Sequence, residues 1–414
     1  MSGKKKKFSR RDFIKSVGAA GLGSALMPLS TLKQAHGSDS TETQEQMMVP
    51  TRPFGKTGVD VSILSLGGVL RSSDLLIFRQ AFKMGVTYWD TADSYGRGKN
   101  EKAIGKYFAK FPDDREKVFL VTKGGTSDPK KLTEKLNTSL QRMNTSYVDL
   151  YFIHYVNDVK SELTDEVKAW AKKAKSEGKI RFFGFSTHKN MENTMLAGAK
   201  LGWIDGIMMS YNYRLMVKDK MKRAVDACVK AGIGLTAMKT QAAFTANFYS
   251  SIGSETDEAL KLTENFLKKG FTAEQAKLKV VWENPNIASI CSAMSNMTIL
   301  QANVAAAVNK QKLSGGDKQR LKQYAQQTAT GYCAGCANIC EHAVDLDIPI
   351  SDILRYSMYH DSYGDRDKAL KLFKALPSNI KANILKADYS KAEKYCPQQI
   401  QIGKVLKKTY EDLT

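Results

Sequence analysis

Near the C-terminus, the run GYCAGCANICEHAV (331–344) sets Cys333, Cys336 and Cys340 at CxxCxxxC spacing. Thiolates that close in sequence commonly share a metal, and zinc or an iron–sulfur centre takes four protein ligands. Cys396, directly before Pro397, is the candidate for the fourth. A second set is dispersed along the chain: Asp90, Tyr95, Lys123 and His154. A tyrosine hydroxyl, with a pKa of about 10, is by itself a poor proton donor or acceptor near neutrality. An ammonium beside it eases its ionisation, and a carboxylate holds that ammonium in place. A histidine next to the pair can hydrogen-bond a carbonyl oxygen. With a hydride donor added, these groups supply what carbonyl reduction needs.

Such a constellation needs a scaffold that brings distant strand ends together. From Val61 the chain alternates short β-rich apolar runs with amphipathic helical stretches. Strands are expected at 61–68, 86–92, 118–123, 148–155, 180–187, 206–213, 234–239 and 287–294. Between them lie helical periods such as DPKKLTEKLNTSLQRM (128–143) and TDEVKAWAKKAKSEGK (164–179), the second reaching a C-capping Gly178. Eight alternations with near-continuous apolar strands predict an α/β fold, a parallel (β/α)8 TIM barrel. An open doubly wound sheet would carry GxGxxG after its first strand, whereas LGG at 66–68 leads into VLRSSD. Barrel chemistry gathers at the C-terminal ends of strands. Asp90, Lys123, His154, Ser186, Asn212 and Lys239 fall at such ends, with Tyr95 just beyond.

WDTADSYGRGKNEKAIG (89–105), VTKGG (121–125), DLYFIHY (149–155) and GKIRFFGFSTH (178–188) together resemble the aldo-keto reductase family. The opening PFGKTGVDVSILSLGG (53–68) extends that resemblance, which covers about residues 51–309. It implies that Tyr95 is the general acid, Lys123 its partner, Asp90 the anchor of Lys123, and His154 the group that orients a carbonyl. It further implies that Ser186 and Asn212 hold a nicotinamide amide, with Tyr211 stacking on the ring. Lys239 and the segment holding Ser295, Asn296 and Asn303 would follow the pyrophosphate and adenosine of NADP or NAD. The family tends to place a glycine where Ala293 stands and an arginine or lysine where Ser295 stands. A cation there would grip the 2′-phosphate of NADP, so the choice between NADP and NAD stays open.

Residues 311–414 lie beyond the expected barrel (51–310). Cys396-Pro397 resembles the Cys-Pro that closes bacterial ferredoxin-type runs, in which the last cysteine of one motif serves the other cluster. Ferredoxin-like tails on such reductases commonly carry two full motifs; here the second keeps only Cys396. Four thiols imply one 4Fe-4S cluster in a helical, ferredoxin-like appendage, as an electron relay or a brace. Structural zinc or paired disulfides would draw on the same four residues. Cys228 and Cys291, on apolar faces, read as core residues.

At the other end, Ser9-Arg10-Arg11-Asp12-Phe13-Ile14-Lys15 resembles the twin-arginine export signal, followed by a short apolar stretch to Leu29. A signal over 1–37, a linker over 38–50 and a periplasmic destination are the expectation. The apolar stretch is too short for a membrane span. The formal charge of +21 is not a nucleic-acid signature. Residues 1–38 hold eight Lys/Arg against one acid, and the remainder, 55 against 41, is scattered along amphipathic segments. The expected function is hydride transfer between NAD(P)H and a carbonyl or alcohol, in contact with a redox partner protein. The alternatives are a nucleotide-binding module or an electron carrier on the same scaffold.

Overall fold

The computed structural model describes residues 48–68, 75–242, 261, 266, 270–361 and 365–414. The expected signal (1–37) and most of the linker lie outside them. A short antiparallel hairpin, β1 (Thr51–Pro53) and β2 (Asp60–Ser62), precedes the barrel. Its Phe54 is fully buried and packs against Tyr88 and Phe119 inside the barrel.

Eight parallel strands then close on themselves. They are β3 (Leu64–Gly67), β4 (Tyr88–Asp90), β5 (Phe119–Gly124) and β6 (Val148–Ile153). The circle continues through β7 (Ile180–Thr187), β8 (Gly206–Ser210), β9 (Gly234–Met238) and β10 (Ser289–Ser292), which pairs with β3. All eight expected strands are present, each within the expected limits except β5, which runs one residue further, to Gly124. Alternation along them separates two cores. Tyr88, Val121, Leu150, Phe152 and Met208 fill the interior. Trp89, Leu120, Tyr151, Phe185 and Ile207 face the surrounding helices. The same alternation aims Asp90, Lys123, His154 and Ser186 inward at the mouth, the first three each two residues beyond an interior side chain.

The helices obey local rules. Asp128 caps the helix Pro129–Met143 through Lys130 N–H and Lys131 N–H, with proline at its first position. Thr272 and Gln275 form a reciprocal capping box at Ala273–Trp282.

The boundary expected at 310 is not where packing changes. Helix Gly315–Gln327 lies on the barrel, and Leu313, Leu321, Tyr324 and Tyr332 belong to the barrel–helix core. The separate tail core begins at Cys340 and takes in Ile353, Phe373, Ile384, Ile402 and Leu406. It is built by helices Ile350–Asp361, Arg366–Lys374, Ser378–Lys386, Ser390–Tyr395 and Ile402–Leu413.

Candidate active site

At the mouth, Lys123 Nζ donates to both carboxylate oxygens of Asp90, at 2.6 and 2.7 Å, and to Thr91 O at 2.7 Å. Neither side chain reaches solvent, so each charge depends on the other. Burial pushes the Asp90 carboxyl up, and Lys123 opposes that rise. The ammonium also lies 5.1 Å from the centre of the Tyr95 ring. The His154 ring stands edge-on to Tyr95 at 5.8 Å, so a tyrosine, a lysine, a carboxylate and an imidazole converge.

Tyr95 occupies a loop rather than a strand, in a tight turn (Tyr95–Gly98) in which Gly96, Arg97 and Gly98 all have positive φ. Gly98 is required twice over. Its φ is 83°, and a Cβ there would come within 2.6–2.9 Å of the Arg142 guanidinium. Arg142 donates to Glu101 Oε2 at 3.0 Å and to Asp93 O at 3.2 Å. The fully buried Glu101 also accepts from Thr122 Oγ1 at 2.7 Å. Glu101 thus ties the tyrosine loop to the residue beside Lys123.

The electrostatics favour a protonated tyrosine. Burial, then the nearby Asp90 carboxylate, push the Tyr95 hydroxyl well above its usual range. Lys123, which holds Asp90 at contact distance, does not offset that rise. Burial, with Lys123, Lys368 and Arg355, holds His154 well below the ordinary histidine range, so it is neutral at pH 7. His154 Nδ1 is buried with no hydrogen-bond partner among the described residues.

Expected nucleotide contacts divide. Ser186 faces the mouth, its Oγ accepting from Tyr155 N–H at 3.2 Å. Asn296 is exposed and caps the helix Met297–Val308 by accepting from Ile299 N–H at 2.9 Å. No acid lies in that helix's first turn, which leaves it suited to an anion. Ser295 is exposed nearby, and Asn303 Nδ2 donates to Ser292 Oγ at 3.0 Å. Lys239 takes a positive φ of 54° and places Nζ 3.2 Å from His188 Nδ1.

Two expectations do not fit. Tyr211 packs in the barrel–helix core and accepts from Asn284 Nδ2 at 2.8 Å, so it faces away from the mouth. It sits one residue out of phase with the inward side chain Met208 and Ser210. Asn212 is saturated by protein. Its amide donates to Lys239 O at 3.1 Å and Tyr332 Oη at 2.9 Å, and its oxygen accepts from Arg214 N–H and Leu215 N–H. No hydrogen-bonding capacity is left for a nicotinamide amide. Cys291 is also not a simple core residue: its thiol lies 3.6 Å from Asp90 Oδ1, on the inward side of β10.

Residues that sequence reasoning did not single out complete the mouth. Tyr155 follows His154 with φ 69°, and their rings stack at 3.6 Å. The Tyr155 and Tyr359 hydroxyls share a hydrogen bond. Tyr359, Arg355 and Lys368 come from the tail: Lys368 Nζ lies 4.1 Å from the Tyr359 ring centre and 5.7 Å from that of Tyr95. Only docking of the tail brings them there; no local spacing signals it.

The four tail cysteines share one apolar pocket, walled also by Leu354 and Ile402. Cys333 and Cys336 lie in a loop and Cys340 ends the short helix Ala337–Cys340 that follows it, and Cys396 reaches them from the end of helix Ser390–Tyr395. All six cysteines of the chain carry free thiols. Burial pushes the Cys333 thiol up to about 12 and that of Cys336 to about 11. The loop rests on the barrel. Gly335 O accepts from Asn190 N–H at 2.8 Å, Asn338 N–H donates to Asn190 Oδ1 at 3.0 Å, and Lys189 pairs with Glu341 at 2.7 Å.

Comparison with known proteins identifies the family and the fold. The model of the Aldo/keto reductase family matches residues 65–324. The uncharacterized oxidoreductase YqkF of Bacillus subtilis is 26% identical over 304 residues, covering 67% of this chain and 96% of that protein. An aldo-keto reductase of Fusarium vanettenii is 28% identical, over 45% of this chain and 62% of its own length. Among solved structures, holo aldo-keto reductase AKR11C1 from Bacillus halodurans superposes with a TM-score of 0.55 at 23% identity, covering 67% of this chain and 96% of that one. The chain belongs to the aldo/keto reductase family.

Proposed function

We propose that this protein is an NAD(P)-dependent oxidoreductase that interconverts a carbonyl compound and its alcohol. The observation that carries the reading is the Asp90–Lys123 pair set beneath Tyr95 and beside neutral His154. A bound nicotinamide dinucleotide would supply the hydride, delivered to the carbonyl carbon. Tyr95 Oη, protonated at neutral pH, gives its proton to the oxygen as negative charge builds there. His154 hydrogen-bonds that oxygen and, being neutral, does not compete as the acid. Lys123, held by Asp90, stabilises the phenolate left behind, and solvent reprotonates it. Asp90 holds the ammonium in place through both carboxylate oxygens.

The exposed start of helix Met297–Val308, with Asn296 and Ser295, and the Lys239 ammonium suit the phosphates of such a dinucleotide. Without a cation at Ser295, the preference of NADP over NAD rests on Lys239. The decisive experiment is Tyr95→Phe. Turnover should fall by a factor of about 100–10,000 with nucleotide binding intact. Turnover equal to wild type would sink the reading and favour a binding module or an electron carrier.

The proposal includes one 4Fe-4S cluster held by Cys333, Cys336, Cys340 and Cys396. Their shared apolar pocket supports it. A tetrahedral zinc at 2.3 Å would hold its thiolates about 3.8 Å apart. Among the described residues, no three of these sulfurs lie within 4.8 Å of one another. A cluster with its irons at separate corners spaces its thiolates more widely. The cluster would brace the tail or pass electrons to a partner protein. Export by the twin-arginine route to the periplasm, on the Ser9–Lys15 motif, belongs to the same proposal. Among the described residues, no helix is long and apolar enough to cross a membrane.

A further inference from the structure

The mouth of the barrel holds more positive charge than its own carboxylates balance. Lys123 is matched by Asp90 at contact distance. Arg355 pairs with Asp352, which also lies 3.8 Å from Lys189. Lys239 and Lys368 have no carboxylate partner among the described residues. Lys239 Nζ contacts His188 Nδ1 at 3.2 Å, and Lys368 Nζ lies over the Tyr359 and Tyr95 rings at 4.1 and 5.7 Å. Arg355 stands 5.7 Å from the centre of the Tyr155 ring, whose other neighbours are His154 and His188. All these groups surround the position next to Tyr95 and His154 where a reacting carbonyl belongs.

An enclosed cationic mouth is costly unless something negative enters it. The protein's own partial answer is Tyr359. Burial raises its hydroxyl, but Lys368, Arg355 and Lys239 together bring it down to about 8. Burial and the same neighbours depress Lys239 to about 8 as well. Both displacements are those expected of cations lacking an anionic counterpart.

We propose that the substrate carries a carboxylate on the same short chain as its reacting carbonyl, held by Lys368 of the tail. This rests on the carbonyl–alcohol reading above. The tail would then determine specificity in a site whose proton-transfer groups belong to the barrel. A charge-assisted contact to a carboxylate distinguishes it from a neutral analogue of the same length.

The test is the ratio of kcat/KM for succinic semialdehyde to that for butanal, which differ at one end only. Wild type should favour the carboxylated aldehyde by about tenfold or more. Lys368→Met should collapse that ratio, and Lys368→Arg should restore most of it; circular dichroism checks the fold of each. A wild-type ratio near one, or a ratio unchanged by Lys368→Met, overturns the inference. Should neither aldehyde turn over, the carbonyl reading fails on its own, and the inference is decided by calorimetric titration with butanoate. Binding weakened about tenfold by Lys368→Met sustains it. Equal binding, or no binding to wild type, ends it.

Discussion

The barrel and the tail each bring polar groups to one mouth, by opposite means. In the barrel, register does the placing. Asp90, Lys123 and His154 sit at successive strand ends, each two residues beyond an interior side chain, and parallel pairing fixes their heights. In the tail, nothing local aims Tyr359 or Lys368. They arrive because helices Ile350–Asp361 and Arg366–Lys374 pack into their own core, and that core docks through the cysteine loop onto Lys189 and Asn190. The barrel site is rigid by construction. The tail's contribution is only as secure as the pocket that ties Cys396 to the Cys333–Cys340 run.

The largest expected effect breaks the tail and spares the barrel. On the proposed cluster, Cys396→Ser should remove iron as completely as Cys336→Ser, because either change takes away one of its four ligands. Iron analysis with visible and EPR spectra measures this, and hydrogen exchange should show the tail core loosened while barrel strands keep their protection. Full iron in Cys396→Ser alone would move the fourth ligand elsewhere, with His342 the nearest candidate by sequence. The reverse experiment is Lys123→Met, which leaves the buried Asp90 without its partner. It should cost about 3–5 kcal/mol in denaturant unfolding and abolish turnover, with iron content unchanged. A stable, active Lys123→Met protein would refute the coupling of that pair.

The same contrast explains what could be read in advance. Eight strand positions and the Asp90–Tyr95–Lys123–His154 set are legible because strand periodicity and loop motifs are local, and a closed parallel barrel converts sequence order into spatial order. Tyr211 was misread by one step of that alternation: Met208 faces inward, so Tyr211 faces the helices. Asn212 was misread for another reason. Its partner Tyr332 lies 120 residues away, in a segment that packs on the barrel although the expected boundary lay at 310. Cys291 looked like core because apolar neighbours surround it, but its proximity to Asp90 depends on barrel closure between β10 and β3. Arg355, Tyr359 and Lys368 carried no signal at all, since a tail helix does not announce which surface it will cover.

Acid should act next in size. Burial, then neighbouring cations, depress both His154 and His188 well below the usual 6.5. In the unfolded chain these imidazoles take up protons below about pH 6.5, whereas the folded protein keeps them neutral until the pH falls through their depressed values. The unfolded state therefore binds more protons in that window, and stability is full above it and falls as pH falls. Each histidine contributes about 1.4 kcal/mol per pH unit below 6.5, so unfolding at pH 5.5 should be easier than at pH 7.5 by about 3 kcal/mol. His154→Gln and His188→Gln should each flatten the slope. An unchanged slope in both variants would mean that the loss comes from elsewhere.

The smallest effect probes the seam between the two regions. Gly335 lies between Cys333 and Cys336 with φ 77°, and a Cβ there would come within 2.4 Å of His188 O. Gly335→Ala therefore meets both a left-handed backbone and a carbonyl that cannot move without shifting the end of β7. The strain should cost about 1–3 kcal/mol. Because no thiol is removed, the proposed cluster can still assemble, which separates this variant from the cysteine substitutions. What should change is the fit of the loop on Asn190, and with it the position of Lys368 over Tyr95. Gly335→Ala should thus keep its iron, soften the tail in hydrogen exchange, and lose part of the preference for a carboxylated aldehyde while Tyr95 chemistry persists. If that preference and the tail's protection match wild type, the loop's contact with the barrel does not position the tail's side chains, and the seam lies in helix Gly315–Gln327 instead.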